Sequence, residues 1–192
     1  MEITQYIDHN LDVDFYHNLF DEERSHEIFR FLENNIAFPV TKTGKLKAGR
    51  AKTIYGDCRY KVVWYGKTTY YNTIPWDSMP TLRKIKEYVE FITKTKYNIC
   101  VVQRYSSGKY GINPHRDREM TKGTKILGLS FGATRELRLS HQGTELKLNL
   151  KSGSAYCLNP PTNDYWFHSI VPDENITEPR ISLTFRNYTC DN

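Results

Sequence analysis

The chain has 192 residues and a net charge of +5 at pH 7, and no apolar run approaches the ~20 residues of a membrane-spanning helix. That length fits one domain with a real core, and Glu2 and Asp8 break the opening stretch, so no signal peptide is expected. Cys58, Cys100, Cys157 and Cys190 are scattered without a CxxC pair, which leaves a zinc ribbon unsupported and points to free thiols in a reducing compartment.

In chain order, Asp21 to Ile36 is predicted helical. Acidic residues fill its first turn, and Ile28, Phe29, Leu32 and Ile36 form an apolar stripe. Thr41 to Lys52, with Gly44, Gly49 and several lysines, reads as a mobile basic loop. A second helix starts near Pro80, with Leu82, Ile85, Val89 and Ile92 on one face. Strands are predicted at Ile99–Tyr105, Ile126–Phe131, Glu136–Ser140, Glu145–Leu150, Ser154–Leu158, Trp166–Val171 and Ile181–Tyr188. His141-Gln142-Gly143-Thr144 turns one of them back on the strand before it. Short strands preceded by two helices imply a mainly β fold with flanking helices (α+β), a β-sandwich or jelly roll.

The chemistry concentrates in the second half. Pro114 disfavours helix just before itself, so Asn113 to Glu119 reads as extended. Residues two apart then share a side, which lets His115 and Asp117 reach one ion while Arg116 points away. His168 lies in an aromatic and β-branched run, Tyr165 to Val171, that reads as a different strand. Two imidazoles and a carboxylate are the facial triad of a non-haem Fe(II) oxygenase, although His168 alone fits a core histidine as well.

Arg180-Ile181-Ser182-Leu183-Thr184-Phe185-Arg186 alternates polar and apolar without a break. As a strand it puts two arginines and two hydroxyls on one face, suited to an anionic ligand or to a solvated barrel face. Six residues of strand span ~20 Å, so both arginines meet one small ligand only if the strand coils. His9, His17, His26 and His141 have no such context and read as surface or packing residues. The 14 tyrosines, where exposed beside basic side chains, suit a nucleic acid surface.

From about Arg50 to Asn187 the chain resembles the AlkB family of 2-oxoglutarate- and Fe(II)-dependent nucleic acid demethylases, most like its duplex-DNA-repair branch. The resemblance rests on Tyr55-Gly56-Asp57, Arg104-Tyr105, His115 to Glu119, Leu129 to Gly132, Asn159-Pro160-Pro161-Thr162-Asn163, Trp166 to Ser169 and Arg180 to Arg186. It implies a double-stranded β-helix (jelly-roll) core at 97–192, a nucleotide-recognition lid and support helix at 49–96, and an N-terminal helical arm and basic loop at 1–48.

The same resemblance implies that His115, Asp117 and His168 bind Fe(II). Arg180 pairs with the distal carboxylate of 2-oxoglutarate, helped by Tyr105, and Gln103, Thr184 and Arg186 line the rest of that pocket. Trp64 stacks on the flipped base; Tyr55 and Tyr65 are read equally as further aromatic platforms or as core residues. Glu119 contacts the base, Arg118 bears on base choice, and Arg50 and Lys52 follow the nucleic acid groove.

Some positions depart from the family pattern. Gln103 and Ser182 stand where asparagine is usual, and Arg118 stands where an acidic residue is common. Lys42-Thr43-Gly44 replaces an apolar wedge, which makes a single-stranded substrate plausible, with Phe38 as a substitute wedge or a core residue.

The expected activity is oxidative demethylation of alkylated bases such as 1-methyladenine and 3-methylcytosine in DNA repair. It uses O2 and 2-oxoglutarate and releases succinate, CO2 and formaldehyde. The rival readings are a protein hydroxylase or demethylase on the same iron, and a non-catalytic nucleic-acid-binding module. The expected partner is nucleic acid, alkylated DNA before RNA. No membrane contact is expected, and the protein is read as an intracellular monomer with nucleus or cytoplasm left open.

Overall fold

The computed structural model describes residues 2–39, 49–64 and 67–190, the side chains of residues 60 and 62–64 excepted. In chain order it contains β1 (Ile3–Asp8), β2 (Leu11–Tyr16), α1 (Glu22–Asn35), β3 (Arg50–Gly56), β4 (Tyr60–Trp64) and β5 (Lys67–Tyr71). A 3-10 turn (Trp76–Ser78) leads into α2 (Pro80–Thr93), then β6 (Ile99–Tyr105), β7 (Ile112–His115), β8 (Ile126–Gly132), β9 (Arg135–His141) and β10 (Thr144–Leu150). The chain ends with β11 (Ala155–Leu158), a single helical turn α3 (Thr162–Tyr165), β12 (Phe167–Ile170) and β13 (Arg180–Arg186).

The strands form a seven-stranded sheet in the order β1-β2-β11-β8-β13-β6-β3 and a four-stranded sheet in the order β10-β9-β12-β7. A separate hairpin, β4-β5, stands apart from both. The expected jelly-roll dioxygenase architecture with flanking helices is what forms.

Period-two alternation decides which face is which. On β13, Ile181, Leu183 and Phe185 are fully buried with Leu127, Leu129 and Phe131 of β8 and Cys100 and Val102 of β6. This layer is capped by Ile28 and Leu32 of α1 and by Leu82, Ile85 and Val89 of α2. Covering one face of the larger sheet with two amphipathic helices removes that apolar surface from water at roughly 25 cal/mol per Å². The opposite face packs on the smaller sheet through Tyr105, Ile126, Leu137, Leu139, Leu148, Tyr156 and Ile170. Gly128 belongs to this inner face: a methyl group there would lie 2.3 Å from the Tyr156 ring, so only glycine lets that ring cross β8.

The N-terminal segment contributes more than a helical arm. Alternating Leu11, Val13 and Phe15 build β2, which pairs with both β1 and β11. Asp21 caps α1, its carboxylate accepting the Arg24 N–H at 2.8 Å, as the sequence reading places it. Arg50 to Lys52, expected within a mobile loop, instead open β3, whose register runs Arg50↔Tyr105 and Lys52↔Gln103 on β6. A half-buried, β-branched neighbour strand overrides the local lysine content.

The expectation of four free thiols is corrected. Cys58 and Cys190 form a disulfide (Cα–Cα 5.8 Å), tying the segment that leads into the β4-β5 hairpin to the tail after β13. Cys100 and Cys157 remain free and buried. A separation of 132 residues hides that proximity from the sequence. Among the described residues, no helix is long and apolar enough to cross a membrane.

Candidate active site

The two imidazoles come from paired strands. His168 of β12 lies directly opposite His115 of β7, and their ring centroids are 4.3 Å apart. Asp117 follows two residues after β7 ends, and its carboxylate oxygens lie 3.7 Å from His115 Nε2 and 3.6 Å from His168 Nε2. One ligand atom from each of the three falls within 4.8 Å of the others. Asn113 O lies 2.9 Å from His115 Nδ1, so a proton held there leaves Nε2 as the lone-pair donor.

Electrostatics suit a cation. Burial pushes the His168 imidazole down to about 4, against the pull of Asp117, so it is neutral and ready to ligate at pH 7. Burial works against ionisation of Asp117, but Arg186 and the two imidazoles outweigh it and hold the carboxyl below its ordinary value. Asp117 Oδ2 and His168 Nδ1 are buried without a hydrogen-bond partner. A carboxylate with one orphaned oxygen, set beside two imidazole nitrogens, fits Fe(II), and this donor set leaves coordination positions open.

Behind the triad lies a small cleft between the sheets, lined by Gln103, Tyr105, Tyr156, His168, Arg180, Ser182, Thr184 and Arg186. The two arginines, six residues apart on β13, take different partners. Arg186 reaches forward, Nη1 to Asp117 Oδ1 at 2.8 Å. Arg180 sits at the far end, 2% exposed, Nε donating to Ser130 Oγ at 2.8 Å, with its guanidinium 5.2 Å from the Tyr105 ring centroid. Arg180 Nη1 is buried and unpaired. A buried cation with a free N–H at the closed end of a cleft is suited to a carboxylate. The Tyr105 hydroxyl donates to Gln103 Oε1 at 3.0 Å, so glutamine in place of asparagine still joins this polar network.

In front of the triad a second, open cleft of about 920 Å³ runs along Arg50, Lys52, Tyr71, Lys109, Tyr110, Arg116, Glu119 and Tyr188. His115, Asp117 and Arg186 lie on its wall, so the two clefts meet at the metal ligands. Arg50, Lys52 and Glu119 therefore gather along one cleft. Arg118 does not: it is exposed and lines a different cleft with Met120, Asn159 and Pro160. Tyr55 is also corrected, since it is 2% exposed within the helix-capped core and cannot stack on a base. Phe38 belongs to that core too. The Trp64 side chain, Tyr65, Gly66 and Lys42-Thr43-Gly44 lie outside the described residues. The remaining histidines are packing residues or surface as read: His17 bonds Thr4, and His141 stacks near Trp166.

Sequence reasoning missed Arg135. Its Nη2 donates to Gly108 O at 2.9 Å and to Tyr110 O and Val171 O at 2.8 Å, pinning the loop that carries Tyr110 against the end of the strand that carries His168. The one available signal was an arginine at an apolar-facing position of β9.

Fold and triad together define a 2-oxoglutarate- and Fe(II)-dependent oxygenase, and the family model for the 2OG-Fe(II) oxygenase superfamily matches residues 12–186. More narrowly, the chain belongs to the AlkB family within that superfamily. It is 30% identical to the DNA oxidative demethylase ALKBH2 of Mus musculus over 187 residues, covering 88% of this chain and 77% of that relative. The Homo sapiens ALKBH2 is likewise 30% identical over 88% of this chain and 70% of its own length. The alpha-ketoglutarate-dependent dioxygenase alkB homolog 3 of Homo sapiens is 30% identical over 64% of this chain and 49% of its own. Among solved structures, OsALKBH1 superposes with a TM-score of 0.62 at 16% identity over 97% of this chain and 100% of that one. A prolyl hydroxylase of Trichoplax adhaerens gives 0.63 at 11% identity over 92% and 83%. At such identities these two likenesses speak to the fold alone.

Proposed function

We propose that this protein removes methyl groups from alkylated nucleic acid bases, with 1-methyladenine and 3-methylcytosine in DNA as its preferred lesions. The observation that carries the reading is the open basic cleft whose wall holds the metal ligands, in a chain 30% identical to DNA oxidative demethylases over most of its length.

His115, Asp117 and His168 hold Fe(II). When bound, the iron with 2-oxoglutarate and O2 supplies the oxidant that hydroxylates the N-methyl carbon; the product sheds formaldehyde, and succinate and CO2 leave. Arg180 takes the distal carboxylate of 2-oxoglutarate through its unpaired Nη1, with Tyr105 beside it. Gln103, Thr184 and Arg186 line the rest of that pocket. Arg186 also keeps Asp117 ionised and turned toward the two imidazoles.

In the open cleft Arg50, Lys52, Lys109 and Arg116 follow the phosphates, and Glu119 accepts from the base edge. By its match to the family motif, Trp64 is the residue assigned to stack on the extruded base, a contact of about 1–3 kcal/mol. A base methylated on its pairing edge leaves the stack at lower cost than a normal one, which favours the lesion.

The test is formaldehyde release from 1-methyladenine and 3-methylcytosine in single-stranded DNA, duplex DNA and RNA, beside His115→Ala. Release lost in the variant supports the proposal, and the ranking of polymers sets the substrate. Turnover of 2-oxoglutarate with no formaldehyde from any nucleic acid refutes it and favours a protein side chain.

A further inference from the structure

Asp117 is the one triad ligand outside a strand, so no sheet ladder fixes its peptide. A single side chain does so instead. Asn163 Oδ1 accepts the Asp117 N–H at 3.0 Å, and Asn163 Nδ2 donates to the Asp117 carbonyl at 2.8 Å. The two bonds close a ring between one amide and one backbone residue, which fixes the peptide from which the carboxylate projects, while Arg186 holds the turn of the carboxylate itself.

The clamp is itself anchored. Thr162, fully buried, both accepts the Asp12 N–H at 2.7 Å and donates to the Asp12 carbonyl at 2.9 Å. Asn159 Nδ2 donates to Asp12 Oδ1 and Asp14 Oδ2, each at 2.9 Å. Thus the turn 159–165 is rooted on β2, a strand of the larger sheet, 105 residues before the metal ligand it serves. The same turn runs on through Trp166 into β12 and delivers His168. Arg116 adds a second tie, donating to the Asp164 carbonyl and lying 4.9 Å from the Phe167 ring centroid.

We infer that Asn163 is a positioning residue for the metal centre: through it, one turn rooted on β2 sets the Asp117 carboxylate against the His168 imidazole. Outer groups that orient metal ligands typically govern affinity by 10–100-fold. Asn163→Ala removes both bonds to Asp117 and leaves the anchor on Asp12 intact. Asn159→Ala removes two outer bonds of the turn, leaves it rooted on Asp12 through Thr162 and touches no bond to Asp117.

The experiment titrates Co(II) into each full-length variant, reading visible absorption for affinity and ligand field, beside thermal melts of the chelated proteins. The expected result is a roughly 10–100-fold weaker Co(II) site with an altered spectrum in Asn163→Ala, and affinity within about threefold of the parent in Asn159→Ala. Should Asn163→Ala fail to fold, Asn163→Gln, which keeps the amide but displaces it, is read by the same criterion. Unchanged Co(II) affinity and spectrum with only a lowered melting temperature would overturn the inference, leaving Asn163 a loop brace. Equal losses of affinity in the Asn163 and Asn159 variants would overturn it as well.

Discussion

Arg180→Met separates ligand binding from folding because the two respond with opposite sign. The guanidinium is 2% exposed, donates to Ser130, lies against Tyr105 and leaves Nη1 buried and unpaired. An orphaned charged donor costs the free protein stability, and replacing a buried cation by an apolar side chain of similar volume is often neutral or stabilising by about 1–4 kcal/mol. Some of that gain is lost here, because the Ser130 hydroxyl loses its donor and keeps only the long bond to the Leu150 carbonyl. The expected net effect on the ligand-free protein is between zero and about +2 kcal/mol. For a chain of this size, that is a melting temperature unchanged or raised by up to about 8 °C. On the role proposed for Arg180, the same change also removes a desolvated charge pair with 2-oxoglutarate worth about 2–4 kcal/mol, so the dissociation constant rises about 30- to 1000-fold. Isothermal titration of 2-oxoglutarate into the Mn(II)-loaded protein measures the second effect, and melts with and without 2-oxoglutarate measure the first. A variant that melts several degrees lower yet binds 2-oxoglutarate normally would refute the reasoning and make Arg180 a structural residue.

Two further outcomes are expected. The His168 imidazole gains its proton near pH 6.5 when unfolded but only near 4 in the fold, so the unfolded state binds more protons in between. Stability of the chelated protein is therefore whole above about pH 6.5 and falls by about 3 kcal/mol as pH drops toward 4; urea midpoints across that range check it, and a flat profile contradicts it. The Cys58–Cys190 bridge closes a 132-residue separation, so Cys58→Ser, or reductant on the parent, lowers stability by about 2–5 kcal/mol. Identical denaturation curves with and without reductant would remove the bridge from the account.

Much of the site was legible in order along the chain, for a physical reason. A strand shows its two faces by period-two alternation, so Arg180, Ser182, Thr184 and Arg186 declare a common polar face with no knowledge of what packs on it. His115 and Asp117 are two apart, and short-range geometry alone aligns them. The helices at Asp21 and Pro80 announce themselves through caps and apolar stripes, which are also local.

What only the tertiary structure decided depends on partners far away in sequence. Arg50 to Lys52 become strand because β6 lies alongside. Tyr55 and Tyr71 are both tyrosines near the expected lid, yet one is core and the other lines the open cleft. The disulfide, the separate partners of Arg180 and Arg186, the Arg135 clamp and the Asn163 grip on Asp117 each join segments that local patterning treats as unrelated. Residue types and their periodicity determined the chemistry this protein carries. Which side chains reach one another was decided by strand order and by the buried polar groups that had to find partners once the two sheets closed.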